Sequence, residues 1–187
     1  MKIVLASKSL RRIEVLKKFG YDFIIDSSDA DEDSIKKEDV KELVIALAKL
    51  KAETVAKKHE NSIIIGADTL VSFKGEKIGQ PKDEDDAKNI IRRLLGKTHE
   101  VYTGVCVINT TNNKAMQDFE VSKVTLKNVS DETLKEYIAT GVYKGKAGAY
   151  DIGDPEFKNF VEKIEGCRFN IRGTPIKKIE KMIEAVK

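Results

Sequence analysis

The sequence predicts an α/β fold with a mixed sheet and flanking helices. Three observations carry that prediction. Short apolar runs alternate with amphipathic stretches from Ile3 to Lys187. Two hairpin signals, at Lys74-Gly75 and at Thr111-Asn112-Asn113, require antiparallel neighbours inside that alternation. No repeat and no low-complexity linker divides the chain, so a single domain spanning 1–187 is expected.

The elements follow in order. Ile3–Ala6 reads as a strand, and Leu10–Phe19 as a helix with Ser9 as N-cap and Gly20 just past its end. Tyr21–Asp26 reads as a second strand, followed by the acidic loop SSDADEDS. Asp39 caps a long helix reaching about Lys58, with Leu43, Leu47, Leu50 and Val55 near one face. "NSIIIGADTLVSFKGEKIG" gives an apolar strand, a break at Gly66 and a hairpin. "DEDDAKNIIRRLLG" has acids in its first turn and bases near its end, as a helix dipole favours, and closes at Gly96. "EVYTGVCVINTTNNKAMQDFEVSKVTLKN" is a long hairpin, and Ser130 caps the helix DETLKEYIATG. The chain closes with TPIKKIEKMIEAVK, read as a helix with Thr174 as N-cap and Pro175 in the first position.

Composition excludes several classes of function. There are 34 basic and 31 acidic residues, so the net charge of +3 gives no general attraction to nucleic acid or membrane. Trp is absent and aromatic residues make up 6%, which leaves no evident stacking platform for bases. Cys106 and Cys167 stand alone and read as free thiols of a reducing compartment; Cys106 reads as a buried strand residue. His59, read at a solvated helix end, and His99, read at the start of a strand, stand apart and suggest no metal pair. With no signal peptide or membrane-length apolar run, a cytoplasmic protein is expected. The richness in Lys, Glu and Ile, with scarce Gln, resembles hyperthermophile usage.

Five stretches carry candidate chemistry. In LASKSLRRIEVL, Lys8, Arg11 and Arg12 crowd a helix N-terminus, where the dipole disfavours cations. Backbone N–H groups, Ser7, Ser9 and two guanidinium forks would suit a polyphosphate, which turns that repulsion into attraction. The chain contains no GxxxxGK[ST] loop, so a P-loop NTPase is not expected. Asp68 and Thr69, in GADTLV, read as lying at a strand end, where a carboxylate is well placed to activate water or hold metal. Asp29, Asp31, Glu32 and Asp33 form an acidic loop able to meet Mg²⁺. Lys146 lies among small residues in YKGKAGAY, and Lys51 on a packed helix in LAKLKAETVA. Each has an ordinary structural reading when taken alone: a solvated surface cation, a turn-forming Asp, a solvated acidic loop, a flexible surface turn.

Together these stretches acquire meaning. LASKSLRRIEVL, LAKLKAETVA, GADTLV, GQPKDEDDAKNIIRRLLGKTHEVYTGV, GKAGAY and FVEKIEGCRFNIRGTPI, in this order and spacing, resemble the Maf family. These are nucleoside triphosphate pyrophosphatases, also described as septum-formation inhibitors. The resemblance implies a strongly twisted sheet in two lobes around a central cleft, as in inosine triphosphatase, often in a homodimer. It implies Mg²⁺- or Mn²⁺-dependent hydrolysis of a nucleoside triphosphate to monophosphate and pyrophosphate. House-cleaning of non-canonical or surplus nucleotides, with a link to cell-division arrest, would be the purpose. Carried over by motif, Ser7, Arg11 and Arg12 form the phosphate-binding turn. Asp68 is the proton acceptor, and Glu32 holds metal with it. Lys51 and Lys146 are the family's catalytic lysines, and Thr69 belongs to the part that distinguishes substrates.

Three positions depart from the family pattern. Leu10 stands where a Pro is usual. Gln80 stands where a Lys is usual, which exchanges a positive phosphate contact for an amide that still hydrogen-bonds. Gly153 stands where many members acting on dTTP and UTP carry Gln, so a dTTP/UTP preference is left open. A nucleotide-sensing regulator of cell division with little turnover is the alternative. It would use the same arginines without needing Asp68 or Glu32.

Overall fold

A computed structural model describes residues 1–187. Seven strands form one mixed sheet in the order β2-β1-β3-β5-β6-β7, with β4 also paired to β3. The strands are β1 (Lys2–Leu5), β2 (Ile24–Ile25), β3 (Ser62–Phe73), β4 (Glu76–Ile78), β5 (Thr98–Asn109), β6 (Lys114–Leu126) and β7 (Val161–Glu165). β1 runs parallel to β2 and β3, and the remaining pairs are antiparallel. The helices are α1 (Leu10–Lys18), α2 (Val40–Ala56), α3 (Glu84–Leu94), α4 (Asp131–Ala139), α5 (Arg168–Ile171) and α6 (Ile176–Val186).

Three apolar clusters divide the molecule into two lobes. In the first lobe, α1 and α6 cover one face of the sheet, packing Leu16, Ile179 and Ile183 against Leu5, Ile63, Ile65 and Val105. On the opposite face α2 sets Ala48, Ala52 and Val55 against Val4, Ile64 and Cys106. The second lobe is a larger core in which Val71, Phe73 and Val101 meet α3, α4 and the aromatic group Tyr137, Tyr150, Phe157 and Phe160. β3 and β5 contribute to both lobes.

Several boundaries differ from those read in the sequence. Gly66 is no break: β3 continues through it, and its register with Cys106 of β5 is unbroken. A side chain is missing there because a Cβ would lie 2.3 Å from the Ala48 carbonyl oxygen and 2.8 Å from the Ala52 Cβ of α2. Gly104 plays the same part on β5, where a Cβ would lie 2.1 Å from the Val44 carbonyl oxygen. The two glycines let α2 settle onto the sheet backbone. Asp68 therefore lies inside a strand, not at its end. Tyr21–Asp26 contributes only the exposed pair Ile24–Ile25, because Tyr21 and Phe23 turn toward the α1/α6 core. Ser9 occupies the N-cap of α1 but its side chain caps nothing; its N–H donates to Ser7 Oγ at 3.2 Å. Pro175, not Thr174, caps α6, and its carbonyl accepts from the Lys178 and Ile179 amides. β7 and α5 were not anticipated: β7 is a short, largely charged edge strand without apolar alternation, and α5 is one turn long.

The cap readings at Asp39 and Ser130 hold, and Asp83 caps α3 in the same way. Each side chain accepts from the amide three residues on, at 2.9, 2.8 and 3.2 Å respectively. Gly20 ends α1 at φ +77°, with its amide and that of Tyr21 returning to the Lys17 and Leu16 carbonyls. No helix is long and apolar enough to cross a membrane.

Candidate active site

The cleft follows from the sheet's topology. β1 pairs with β3 only from Ser62 to Ile65, and β4 pairs along the same edge only from Val71 to Phe73. Between them, residues 66–70 of β3 have a strand partner on one side alone. The chain leaving β1 (Ala6 to Arg12) and the chain leaving β4 (Gly79, Gln80) border this gap. Asp68 and Thr69 lie within it. The sequence expectation of a carboxylate at a strand end thus had the right surroundings for a different reason: β1 ends there, not β3.

The resulting cleft encloses about 390 Å³. Six cations line it, Lys8, Arg11, Arg12, Lys51, Lys144 and Lys146, against a single acid, Glu32. Ser7, Ser9, Ser27, Ser28 and Gln80 complete the polar wall. In a protein whose total charge is only +3, this concentration marks a site for a polyanion.

Lys51 sits at the floor. Its Nζ donates to Asp68 Oδ1 at 2.6 Å and lies 2.8 Å from Glu32 Oε2. Three elements supply this cluster: the 3-10 turn Glu32–Ser34, α2 and β3. Asp31 stabilises the turn by accepting from the Asp33 amide at 3.2 Å. The depth of α2, set by Gly66 and Gly104, brings Lys51 to Asp68. Asp68 is 8% exposed, so the ammonium offsets the cost of burying its carboxylate.

Arg12 is fastened at three points. Its Nη1 donates to Ser7 Oγ at 2.9 Å, Nη2 to Thr69 Oγ1 at 3.3 Å, and Nε to the Gly173 carbonyl at 3.2 Å. Thr69 Oγ1 also lies 3.0 Å from Thr103 Oγ1. Burial pulls the Arg12 pKa down, and the charges of Asp68 and Glu32 push it back up. Arg11 reaches the other way, its Nη1 3.5 Å from the Tyr150 carbonyl.

Lys146 is held from the second lobe by an ion pair with Asp154. Its loop is docked closely. The Gly148 amide donates to the Gly79 carbonyl at 2.9 Å, and a Cβ on Gly148, at φ +71°, would lie 2.8 Å from Val71 Cγ2. Tyr150 stacks on Phe157 at 4.6 Å between ring centres, and its Oη lies 2.6 Å from His99 Nε2. YKGKAGAY is therefore a packed wall and not a loose surface turn. Burial pushes the Asp154 carboxyl pKa up, opposed by Lys146.

The structure thus brings Ser7, Arg11, Arg12, Glu32, Lys51, Gln80 and Lys146 around one cleft, with Asp68 and Thr69 directly behind Lys51 and Arg12. Ser27, Ser28, Lys144 and Asp154 were not singled out from the sequence. Lys144 lay inside the quoted YKGKAGAY, two residues before Lys146, and was readable there. Ser27 and Ser28 gave no signal beyond a polar loop. His59, read as solvated, is half-buried, with Nε2 2.7 Å from Asp26 Oδ2.

Two carboxylates converge at Lys51, and no group of three or more His, Cys, Asp or Glu side chains forms a metal cluster. That donor set fits a hard divalent cation that takes one or two carboxylates together with phosphate oxygens of its substrate.

Residues 2–186 match the family model described as Maf-like protein. The chain belongs to the Maf family. Its curated relatives include proteins named dTTP/UTP pyrophosphatase from Clostridium acetobutylicum and Pyrococcus furiosus. The first is 42% identical over 98% of this chain and 96% of its own length. The second is 42% identical over 98% and 94%. A third Maf protein of that name, from a Thermoanaerobacter species, is 45% identical over 96% and 93%. Among solved structures, the Staphylococcus aureus Ham1 protein aligns with 67% of this chain and 72% of its own, at TM-score 0.44 and 16% identity.

Proposed function

We propose that this Maf protein hydrolyses dTTP and UTP to the nucleoside monophosphate and pyrophosphate. Nucleoside triphosphate pyrophosphatase activity goes with the family and with relatives that carry that name over nearly their full length. The observation that carries the site assignment is the cleft itself. Six cations surround an opening at whose floor Lys51 pairs with Glu32 in the lining and with Asp68 behind it.

Arg11, Arg12 and Lys146, with Ser7 and the uncapped first turn of α1, grip the triphosphate and neutralise it. Thr69 keeps Arg12 aimed. Gln80 reaches the substrate from the end of β4 as a neutral hydrogen-bonding group. Glu32 and Asp68 would hold Mg²⁺ or Mn²⁺, which would supply Lewis acidity toward phosphate oxygens and water. Asp68 orients the attacking water and takes its proton as the oxygen bonds to the α-phosphorus. The bond from the α-phosphorus to the α,β-bridging oxygen breaks, and pyrophosphate leaves with that oxygen. Lys51 holds Glu32 and Asp68 together before substrate arrives and faces the accumulating negative charge afterwards.

The test is incubation of the purified protein with Mg²⁺ and a panel of canonical and modified nucleoside triphosphates, measuring monophosphate and pyrophosphate. Asp68→Asn is expected to lose at least about 100-fold in kcat, the usual contribution of a positioned base. Wild-type turnover in a folded Asp68→Asn protein would remove Asp68 from that role. Nucleotide binding without pyrophosphate release by the wild type would favour the regulator instead.

A further inference from the structure

Arg172, just after α5, is outside the cleft lining, yet it joins two elements that form it. Its Nε lies 3.1 and 3.3 Å from the two carboxylate oxygens of Asp151, and its Nη2 lies 3.2 Å from Asp151 Oδ2. The same Nη2 donates to Glu14 Oε2 of α1 at 2.7 Å. Asp151 is 2% exposed and follows Tyr150, whose carbonyl is the contact of Arg11. A buried carboxylate one residue beyond the carbonyl that a phosphate-gripping arginine contacts is a competitor for that arginine. Burial pulls the Arg11 pKa down; among its charged neighbours Asp151 acts most strongly and pushes it up, with Arg172 opposing.

Gly153 makes the arrangement possible. It is not among the glycines at positive φ, so no backbone demand explains it. A Cβ there would lie 2.9 Å from both Cζ and Nε of Arg172. The guanidinium fills the space that a side chain at 153 would take.

We propose that Arg172 is a positioning residue for substrate binding: by holding Asp151 it keeps that carboxylate from capturing Arg11, which stays available to the triphosphate. This rests on the triphosphate reading of the cleft. The chemistry it serves is anion binding, so its effect falls on KM and not on the hydrolytic step.

The experiment compares KM and kcat for dTTP with Mg²⁺ in the wild type, Arg172→Met, Gly153→Ala and the double variant Arg172→Met/Asp151→Asn. Arg172→Met is expected to raise KM about tenfold with kcat within about twofold, the pattern of lost ground-state binding. Adding Asp151→Asn removes the competitor, and KM is expected to return to within about threefold of wild type. A staple that merely holds the fold would show no such recovery, so a double variant no better than Arg172→Met overturns the proposal. Gly153→Ala displaces only the far end of Arg172 and leaves the backbone unstrained. It is expected to raise KM in the same direction, and a wild-type KM would count against the assignment. Binding of inorganic tripolyphosphate, followed by calorimetry, gives the same comparison without turnover. If the wild type releases no pyrophosphate, the hydrolase reading fails, while the order of the variants' tripolyphosphate affinities still decides the role of Arg172.

Discussion

His99 shows how one buried side chain couples the cleft wall to pH. Its Nε2 meets Tyr150 Oη, and its Nδ1 has no partner. Burial drives its pKa down from 6.5 to about 4, so the folded protein holds it neutral. The folded value is the lower one. His99 therefore favours the folded state fully above pH 6.5, and this advantage is lost as pH falls from 6.5 through about 4. The whole difference corresponds to roughly 3 kcal/mol. His99→Gln is expected to flatten the acid limb of a plot of Tm against pH; parallel curves for the two proteins would place the acid sensitivity elsewhere. The sequence placed His99 at the start of a strand but not against Tyr150, since 51 residues separate them and only the packing of the second lobe joins them. Lys51 is a similar case. It could be named from its motif, whereas its bonds to both Glu32 and Asp68 depend on how deeply α2 sits.

That depth is a property of elements. The α2 interface with the sheet is built from Ala48, Ala52, Gly66 and Gly104, small residues where a larger one would hold the helix away. Gly66→Ala would drive a methyl against the Ala48 carbonyl of the helix backbone, which cannot swing aside as a side-chain tip can. Overpacking of this kind costs about 1–3 kcal/mol or more. The variant is expected to melt lower in a thermal scan and to lose turnover beyond what its unfolded fraction explains, because Lys51 moves off Asp68. Full specific activity in the folded fraction would show that α2 tolerates the shift. Most helices were legible because capping residues and dipole-matched charges mark their ends locally. Gly66 was misread because a glycine in a strand looks the same whether it breaks the strand or admits a neighbouring backbone. β7 was missed because its pairing with β6 depends on distant residues, and its own charged sequence gives no alternation.

At the scale of the molecule, the alternation of apolar runs with amphipathic stretches made the α/β class legible, the hairpins made the sheet mixed, and family likeness supplied the cleft. The gap between β1 and β4 was not legible, because it depends on which parts of β3 each neighbour covers. The two lobes meet through β3 and β5, whose residues line both cores. One domain across 1–187 is accordingly proposed, and heating is expected to produce a single calorimetric transition; two resolved peaks would divide it. A strand shared in this way also has a signature in amide hydrogen exchange. Ile63–Ile65 and Val71–Phe73 lie in different lobes, yet neither stretch can open without releasing the strand that holds the other. Their amides should exchange through the same global opening, and lose protection with the same slope as denaturant is added. The solvent would then register the two lobes as a single foldon, whatever the cleft between them suggests.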